Sequence, residues 1–216
     1  MSVLPVEQKL IDGPVGAIET MVEAIDNPQG IAVVAHPHPL FGGTNINKVV
    51  HTLARTLRDL GHVTLRPNFR GVGKSAGNHD NGYGETDDML AVIKWAQDRW
   101  DKLPSKLPII LAGFSFGAYV QARVAKQLAA VGTPAKRLIL VGTASGHVEG
   151  ARSYDTDAVA QDTIVIHGAK DETVQLQNVL AWAEPLELPV IVVPGADHFF
   201  HARLHIIRNI IASAWH

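Results

Sequence analysis

The stretch Leu111-Ala112-Gly113-Phe114-Ser115-Phe116-Gly117-Ala118 decides the fold that this sequence predicts. It joins an apolar run, predicted as a buried strand, to a helical segment, and it places Gly-x-Ser-x-Gly at the junction. In so sharp a turn the serine takes a strained backbone conformation, and side chains at positions 113 and 117 would collide with neighbouring backbone. The turn would hold the Ser115 hydroxyl above a sheet, at a helix N-terminus that favours developing negative charge. The alternative is a structural turn in which Ser115 is only an N-cap.

Outward from this junction, short apolar runs alternate with longer amphipathic stretches, as in βα units. The predicted strands are 6–11, 15–24, 31–35, 62–66, 108–112, 137–141, 163–167 and 190–193, and the first two form an antiparallel pair. The predicted helices are 47–60, 84–100, 115–131, 172–183 and 201–215. We therefore expect an α/β fold, with a mostly parallel twisted sheet of about eight strands flanked by helices. The longest connection, 143–162, is too short for a helical cap domain, so a minimal cap or none is expected.

Length and composition fit one domain spanning residues 1–216, with 46% hydrophobic and 19% charged residues. The formal net charge of −2 argues against a nucleic-acid partner, and the absence of cysteine excludes thiolate catalysis and disulfides. The first twenty residues do not resemble a secretory signal, and no apolar run is long enough to span a membrane. A cytoplasmic protein is the expectation, and the sequence leaves the oligomeric state open.

A serine nucleophile needs a histidine base, and the histidine needs an orienting carboxylate. Asp171 follows the predicted strand 163–167, and His198 follows the predicted strand 190–193, so both lie where parallel strands end. We therefore predict Ser115 as nucleophile, His198 as general base and Asp171 as orienting acid. Glu172 and Asp197 are competing carboxylates, although Asp197 is adjacent to His198 and is more suited to a local turn contact.

The segment His36-Pro37-His38-Pro39-Leu40-Phe41-Gly42-Gly43-Thr44 directly follows the predicted strand 31–35. This position is suited to the second donor of an oxyanion hole, the first being the Phe116 N–H. Proline has no N–H, so the donor must come from His38, Leu40 or Phe41, and we favour Leu40. The side chains of His38, Phe41 and Phe114 are predicted to contact the substrate.

Metal and nucleotide sites are weaker interpretations of the same sequence. His36 and His38 share a face of an extended segment, but no carboxylate lies close to them in sequence, so we expect no metal. His198, His201 and His205 share a helical face, where the last two need only be surface residues. The Gly-Lys-Ser at 73–75 lacks the first glycine of a phosphate loop, so 68–77 is expected to be a buttressing loop. Arg70 would pair with a scaffold carboxylate or, alternatively, with an acidic substrate.

These motifs together resemble the α/β-hydrolase superfamily, and specifically its small lidless bacterial serine hydrolases. The resemblance spans nearly the whole chain, from the segment at 36–44 through Gly113-Phe114-Ser115-Phe116-Gly117 to Asp197-His198-Phe199-Phe200. The chain is also similar to the dienelactone-hydrolase branch, which uses cysteine where this sequence has Ser115. The resemblance implies a Ser-His-Asp triad whose members follow one another along the chain in the order Ser, Asp, His, and it implies no cofactor.

The function predicted from these observations is hydrolysis of small carboxylic esters or thioesters through an acyl-enzyme. One alternative is a peptidase or amidase with the same triad acting on small amino-acid derivatives. The other is a non-catalytic binding protein that retains the fold.

Overall fold

The computed structural model describes residues 5–100, 106–148 and 152–215. Its strands are β1 (Glu7–Gly13), β2 (Gly16–Glu23), β3 (Gly30–Ala35), β4 (His62–Pro67), β5 (Ile109–Phe114), β6 (Arg137–Val141), β7 (Gly146–Val148), β8 (Arg152–Tyr154), β9 (Ile164–Gly168) and β10 (Val190–Val193). Its helices are α1 (Lys48–Asp59), α2 (Tyr83–Arg99), α3 (Phe116–Ala130), α4 (Leu176–Ala183) and α5 (Leu204–Ser213), with 3₁₀ turns at Pro39–Phe41 and Glu184–Leu186. The helices of these described ranges are too short or too polar to span a lipid bilayer.

Eight of these strands form one sheet in the order β1-β2-β4-β3-β5-β6-β9-β10. The six strands from β4 to β10 in this order are parallel, and β1 and β2 are antiparallel to each other. Strand β2 also runs antiparallel to β4, which attaches the hairpin to one edge. This architecture confirms the predicted α/β fold and the predicted antiparallel pair.

Strand β5 lies inside the sheet, between β3 and β6, and all six of its residues are buried. Such a strand needs apolar side chains on both faces, which explains its continuous apolar sequence. Side chains of α2 and α3 pack on one face, including Met89, Val92 and Val120. Side chains of α1 and α5 pack on the other, including Leu53 and Ile207. The two layers fix β5, and with it the position of the residue that follows it.

Three local features differ from the sequence predictions. Helix α4 begins at Leu176 rather than at 172, because the Asp171 side chain binds the backbone N–H groups of Thr173 and Val174 and holds them in a turn. Helix α5 begins at Leu204 rather than at 201, after a series of turns. The connection 143–162 contains the short antiparallel pair β7–β8, which the sequence analysis did not predict.

The carboxyl ends of the parallel strands meet at one edge of the sheet. The residues that follow β3, β5, β9 and β10 are His36, Ser115, Ala169 and Pro194. In open α/β sheets this edge is where ligands bind, because the loops there converge on a crevice. The predicted site residues therefore lie in loops that the topology brings together.

Candidate active site

Ser115 occupies the turn between β5 and α3, with φ 57° and ψ −118°. A positive φ is uncommon for a residue with a side chain, and it costs free energy that the surrounding structure must supply. A Cβ at Gly113 would lie 2.3 Å from the Gly117 carbonyl oxygen, and one at Gly117 would lie 2.4 Å from the Ala35 carbonyl oxygen. Both glycines are therefore required by close backbone approach, as the sequence analysis predicted.

The structure brings Ser115, His198 and Asp171 into one chain of contacts. The His198 Nε2 lies 3.0 Å from the Ser115 Oγ, and the His198 Nδ1 lies 2.7 Å from the Asp171 Oδ2. A carboxylate can only accept, so Nδ1 carries the proton of the neutral imidazole and Nε2 is the acceptor for the serine hydroxyl. All three residues are buried. This arrangement can remove a proton from the Ser115 hydroxyl.

The Asp171 carboxylate is fixed by backbone donors as well as by His198. Its Oδ1 accepts hydrogen bonds from Thr173 N–H at 3.0 Å and Val174 N–H at 2.8 Å. This leaves Oδ2 directed at the imidazole. Of the competing carboxylates, Asp197 instead contacts His201, and Glu172 is exposed.

A second histidine, His167, lies behind the Asp171 carboxylate. Its Nε2 lies 2.9 Å from the Val174 carbonyl oxygen, to which it donates, and 3.4 Å from the Asp171 Oδ2. Burial lowers the pKa of His167, which favours the neutral ring. The sequence analysis assigned His167 to a strand end and missed this contact, because the spacing of four residues from Asp171 is uninformative in a loop.

In the loop after β3, the backbone N–H groups of residues 40–43 donate hydrogen bonds to acceptors within the loop. Leu40 N–H donates to the His38 Nδ1 at 3.3 Å, and the N–H groups of Phe41 and Gly43 both donate to the His38 carbonyl oxygen. Gly42 N–H donates to the Pro39 carbonyl oxygen. The Leu40 N–H is therefore engaged, and its side chain is exposed, so the structure does not bring Leu40 to the site as predicted. The Leu40 N–H is engaged because Pro39–Phe41 form a 3₁₀ turn, and the side chain of its N-cap residue, His38, accepts the hydrogen bond from Leu40.

His36 and His38 take different positions in this loop. His36 is completely buried, donates from Nδ1 to the Pro37 carbonyl oxygen and accepts the Phe69 N–H at Nε2. Burial lowers its pKa to about 4. The pKa of His38 is also lowered to about 4, by burial and then by the nearby His79 and Arg152. Among the described residues no group of three or more acidic, histidine or cysteine side chains could hold a metal ion.

A cleft of about 380 Å³ opens over Ser115 and His198. Its other lining residues are Pro37, His38, Phe41, Gly42, Gly43, Asn47, Arg152, Thr173 and Phe199. Two of the three predicted substrate contacts, His38 and Phe41, are in this lining. Phe114 is not, because it is completely buried and its ring packs at 4.9 Å against the imidazole of His198. Phe114 therefore supports His198 from below, and the prediction that it contacts the substrate is wrong.

A second cleft, of about 410 Å³, lies on the other side of His38. Its lining includes His79, Phe116, Tyr154 and Asp155, and it shares His38 and Arg152 with the first cleft. His79 is held by the buried Glu85, whose Oε1 lies 2.8 Å from the His79 Nδ1. The sequence analysis did not identify this pair, because its residues match no motif.

The segment 68–77 buttresses the hairpin β1–β2 rather than forming a phosphate loop. The Asn68 Nδ2 donates to Glu19, and the Ser75 hydroxyl donates to the Asn68 carbonyl oxygen. Arg70 donates two hydrogen bonds to Asp88, at 2.9 and 2.8 Å, so it pairs with a scaffold carboxylate.

Comparisons with known proteins show which proteins this chain is similar to. A model of the thioesterase domain family matches residues 79–187. An uncharacterized protein of Rickettsia prowazekii (strain Madrid E) is 34% identical over 204 residues, which cover 89% of this chain and 82% of that protein. The structure of an alpha-beta serine hydrolase homologue from Coxiella burnetii superposes with a TM-score of 0.85 at 39% identity, over 100% of both chains. A serine hydrolase without a lid from Xanthomonas campestris gives a TM-score of 0.80 at 34% identity, over 99% of this chain and 96% of that one.

Proposed function

We propose that this protein cleaves carboxylic esters or thioesters through an acyl-enzyme. The chain belongs to the α/β-hydrolase superfamily and carries a thioesterase domain, and both findings support this proposal. The observation that carries the proposal is the contact chain from Ser115 Oγ through His198 to Asp171, at 3.0 and 2.7 Å. Both distances are within hydrogen-bonding range, and these contacts support the roles of Ser115 as nucleophile, His198 as base and Asp171 as orienting acid.

In the proposed reaction, the Ser115 Oγ attacks the carbonyl carbon while its proton passes to the His198 Nε2. Asp171 stabilises the imidazolium that forms. Collapse of the tetrahedral intermediate expels the alkoxide or thiolate and leaves Ser115 acylated. The leaving group takes the proton from His198. Water then attacks the acyl-serine by the same steps, so that the acid is released and Ser115 recovers its proton.

We assign the oxyanion hole to the backbone N–H groups of Phe116 and His38. Phe116 is the first residue of α3, where an N–H has no partner within the helix. In the loop after β3, Pro37 and Pro39 have no N–H, and the N–H groups of residues 40–43 all donate within the loop. We infer that His38, which lies between the two prolines, supplies the second donor. This assignment replaces Leu40 with His38.

Proline at position 38 tests this assignment, because His38 has φ −54°, which a proline ring can adopt. We expect His38→Pro to reduce kcat by about 100- to 1000-fold relative to His38→Ala, which retains the N–H. Both variants lack the imidazole and its contact with Leu40, so their ratio isolates the N–H. Equal kcat values for the two variants, with both folded by circular dichroism, would refute the assignment.

The preference for the acyl chain is tested with p-nitrophenyl esters from acetate to dodecanoate. The preference for the leaving group is tested with the matching thioesters and p-nitroanilides. We expect turnover of esters and thioesters to exceed that of anilides by at least about 100-fold, because an amine leaving group needs a well-placed acid. Phe41 and Phe199 form an apolar, partly exposed rim of the cleft, so short and medium acyl chains should be turned over best. Equal turnover of anilides would favour an amidase, and inertness towards the whole series would contradict a hydrolase of this kind.

A further inference from the structure

His79 and Glu85 form a pair at the second cleft that has no part in the proposed reaction. The Glu85 side chain is completely buried, and its Oε1 lies 2.8 Å from the His79 Nδ1. The same carboxylate accepts the N–H groups of Asp80 at 2.9 Å and Gly82 at 2.8 Å. A carboxylate can only accept, so the His79 Nδ1 carries a proton. Glu85 therefore fixes the ring of His79 and determines which nitrogen remains available.

The opposite ring nitrogen, Nε2, is the group that His79 offers to a ligand. Among the described residues it has no hydrogen-bond partner, and unlike the Nδ1 of His167 it is not closed off from solvent. His79 lines the second cleft, so a ligand reaches Nε2 from there. No serine hydroxyl of the described chain contacts this nitrogen. The pair therefore supplies a binding group rather than a second nucleophile.

The His79 ring packs against the two residues to which we assign the oxyanion hole. Its centroid lies 4.7 Å from that of the His38 ring and 5.3 Å from that of the Phe116 ring. Both of these side chains line the second cleft, whereas Ser115 and His198 do not. In the proposed reaction His198 gives its proton to the leaving group, so the leaving group lies in the first cleft. The second cleft, beyond the oxyanion donors, is therefore on the side of the acyl group.

The walls of the second cleft are largely aromatic. Ring centroids are 5.9 Å apart between Phe116 and Tyr119 and 5.1 Å apart between Tyr119 and Tyr154. Such walls favour an aromatic ligand, because rings attract one another in offset and edge-to-face contacts. The exposed Asp155 at the same cleft opposes an anionic ligand, and its carboxylate only accepts hydrogen bonds. The Nε2 of a neutral His79 also accepts. The cleft thus suits an uncharged ring that carries a hydrogen-bond donor.

We propose that the second cleft is the acyl subsite of this hydrolase and that His79 is a specificity-determining residue, whose Nε2 accepts a hydrogen bond from a hydroxyl group on an aromatic ring of the acyl group. This inference rests on the proposed function and names the substrate class, which is esters or thioesters of hydroxyaryl-substituted carboxylic acids. Unbranched acyl chains make no hydrogen bond with His79 and stay beneath the rim formed by Phe41 and Phe199.

A matched pair of substrates tests the proposal, namely the p-nitrophenyl esters of (p-hydroxyphenyl)propanoic acid and (p-methylphenyl)propanoic acid. The two differ only by a hydroxyl against a methyl group of similar size. We expect the wild type to prefer the hydroxyl member in kcat/KM by about 10-fold, and His79→Phe to reduce this ratio to about twofold or less. The proposal is overturned when the wild type shows no preference or when His79→Phe retains it.

A second variant guards against a folding defect, because His79→Phe removes one donor from the buried Glu85 carboxylate. His79→Phe/Glu85→Gln also removes the charge, so no uncompensated ion remains. The ratio within the pair is insensitive to a uniform loss of activity, which a merely structural role would cause. His205→Phe is the control, since His205 is exposed on α5, and it should leave the ratio unchanged. A wild-type ratio in the double variant would overturn the proposal.

A second pair tests the placement of the acyl group. It consists of the butyrate esters of (p-hydroxyphenyl)propanol and (p-methylphenyl)propanol, which carry the same rings in the leaving group. We expect no preference that depends on His79 in this pair, because the leaving group lies in the first cleft. A preference that depends on His79 here, and not in the first pair, would overturn the acyl placement.

A binding measurement separates failure of this proposal from failure of the hydrolase function. Calorimetry with Ser115→Ala protein, with and without His79→Phe, should show binding of methyl (p-hydroxyphenyl)propanoate that depends on His79. Such binding in a protein whose wild type cleaves no ester would retain the subsite and reject the hydrolase function. Ester cleavage by the wild type without binding that depends on His79 would retain the hydrolase function and reject the subsite.

Discussion

Replacing Ser115 by alanine is expected to lower kcat for p-nitrophenyl esters by at least about 1000-fold, and by on the order of 10⁶-fold where the triad acts as a unit. The reason is that, in the proposed mechanism, His198 and Asp171 act only through the serine hydroxyl, from which the His198 Nε2 is 3.0 Å away. Without that hydroxyl no acyl-enzyme forms, and only substrate binding and the oxyanion donors remain. Steady-state kinetics of the purified variant measure the effect.

The matched control is Ser153→Ala, because Ser153 is an exposed serine on β8 and lines only the second cleft. A fluorophosphonate probe should label the wild type and Ser153→Ala, and it should not label Ser115→Ala. Circular dichroism should show the same fold for all three proteins, since alanine at position 115 adds no atoms to the turn. Retained turnover or labelling of Ser115→Ala would place the nucleophile elsewhere.

Replacing Arg70 by methionine is expected to lower the free energy of unfolding by about 3–5 kcal/mol, the range for breaking one side of a buried ion pair. The Arg70 and Asp88 side chains are 8% and 2% exposed, and two hydrogen bonds join them. Burial raises the pKa of the Asp88 carboxyl and the contact with Arg70 opposes that shift, so removal of Arg70 leaves a buried acid without its counter-charge. Urea unfolding measures the change.

The double variant Arg70→Met/Asp88→Leu distinguishes a lost charge partner from lost packing. It should recover most of the stability, because an apolar pair does not pay the desolvation cost of the ions. Lys94→Met is the surface control, since the Lys94–Asp98 pair is largely exposed and contributes little. A double variant no more stable than Arg70→Met would show that the loss comes from packing.

The sequence predicts the strands of the eight-stranded sheet and the helices because each of these elements is long enough to show an apolar run or a helical period. Strand β5 and the turn at Ser115 are determined by local requirements, namely an apolar run and two glycines with no space for a Cβ. Asp171 and His198 were found because parallel strands end at one edge of the sheet, so their loops had to converge.

The remaining features depend on geometry that a pattern does not encode. The 3₁₀ turn in the loop after β3 directs the Leu40 N–H to the His38 Nδ1. A sequence pattern does not show this hydrogen bond, and for this reason we assign the second oxyanion donor to His38 rather than to Leu40. Phe114 is buried because helices cover both faces of β5, and its side chain belongs to the same core layer as Leu53 and Ile207. Strands β7 and β8 have three residues each, too few to show a period, so the position of Arg152 was not predicted.

The order of strands in the sheet also determines how local opening would affect the site. Strand β10 is the last strand of its edge and is hydrogen-bonded in the sheet only to β9. His198 follows β10 and Asp171 follows β9, whereas Ser115 follows the interior strand β5. Segments with fewer ladder hydrogen bonds open at a lower free energy than the interior of a domain. We therefore expect the fraction of molecules in which the serine contacts its histidine to follow the stability of this edge, which hydrogen exchange at β10 rather than at β5 would measure.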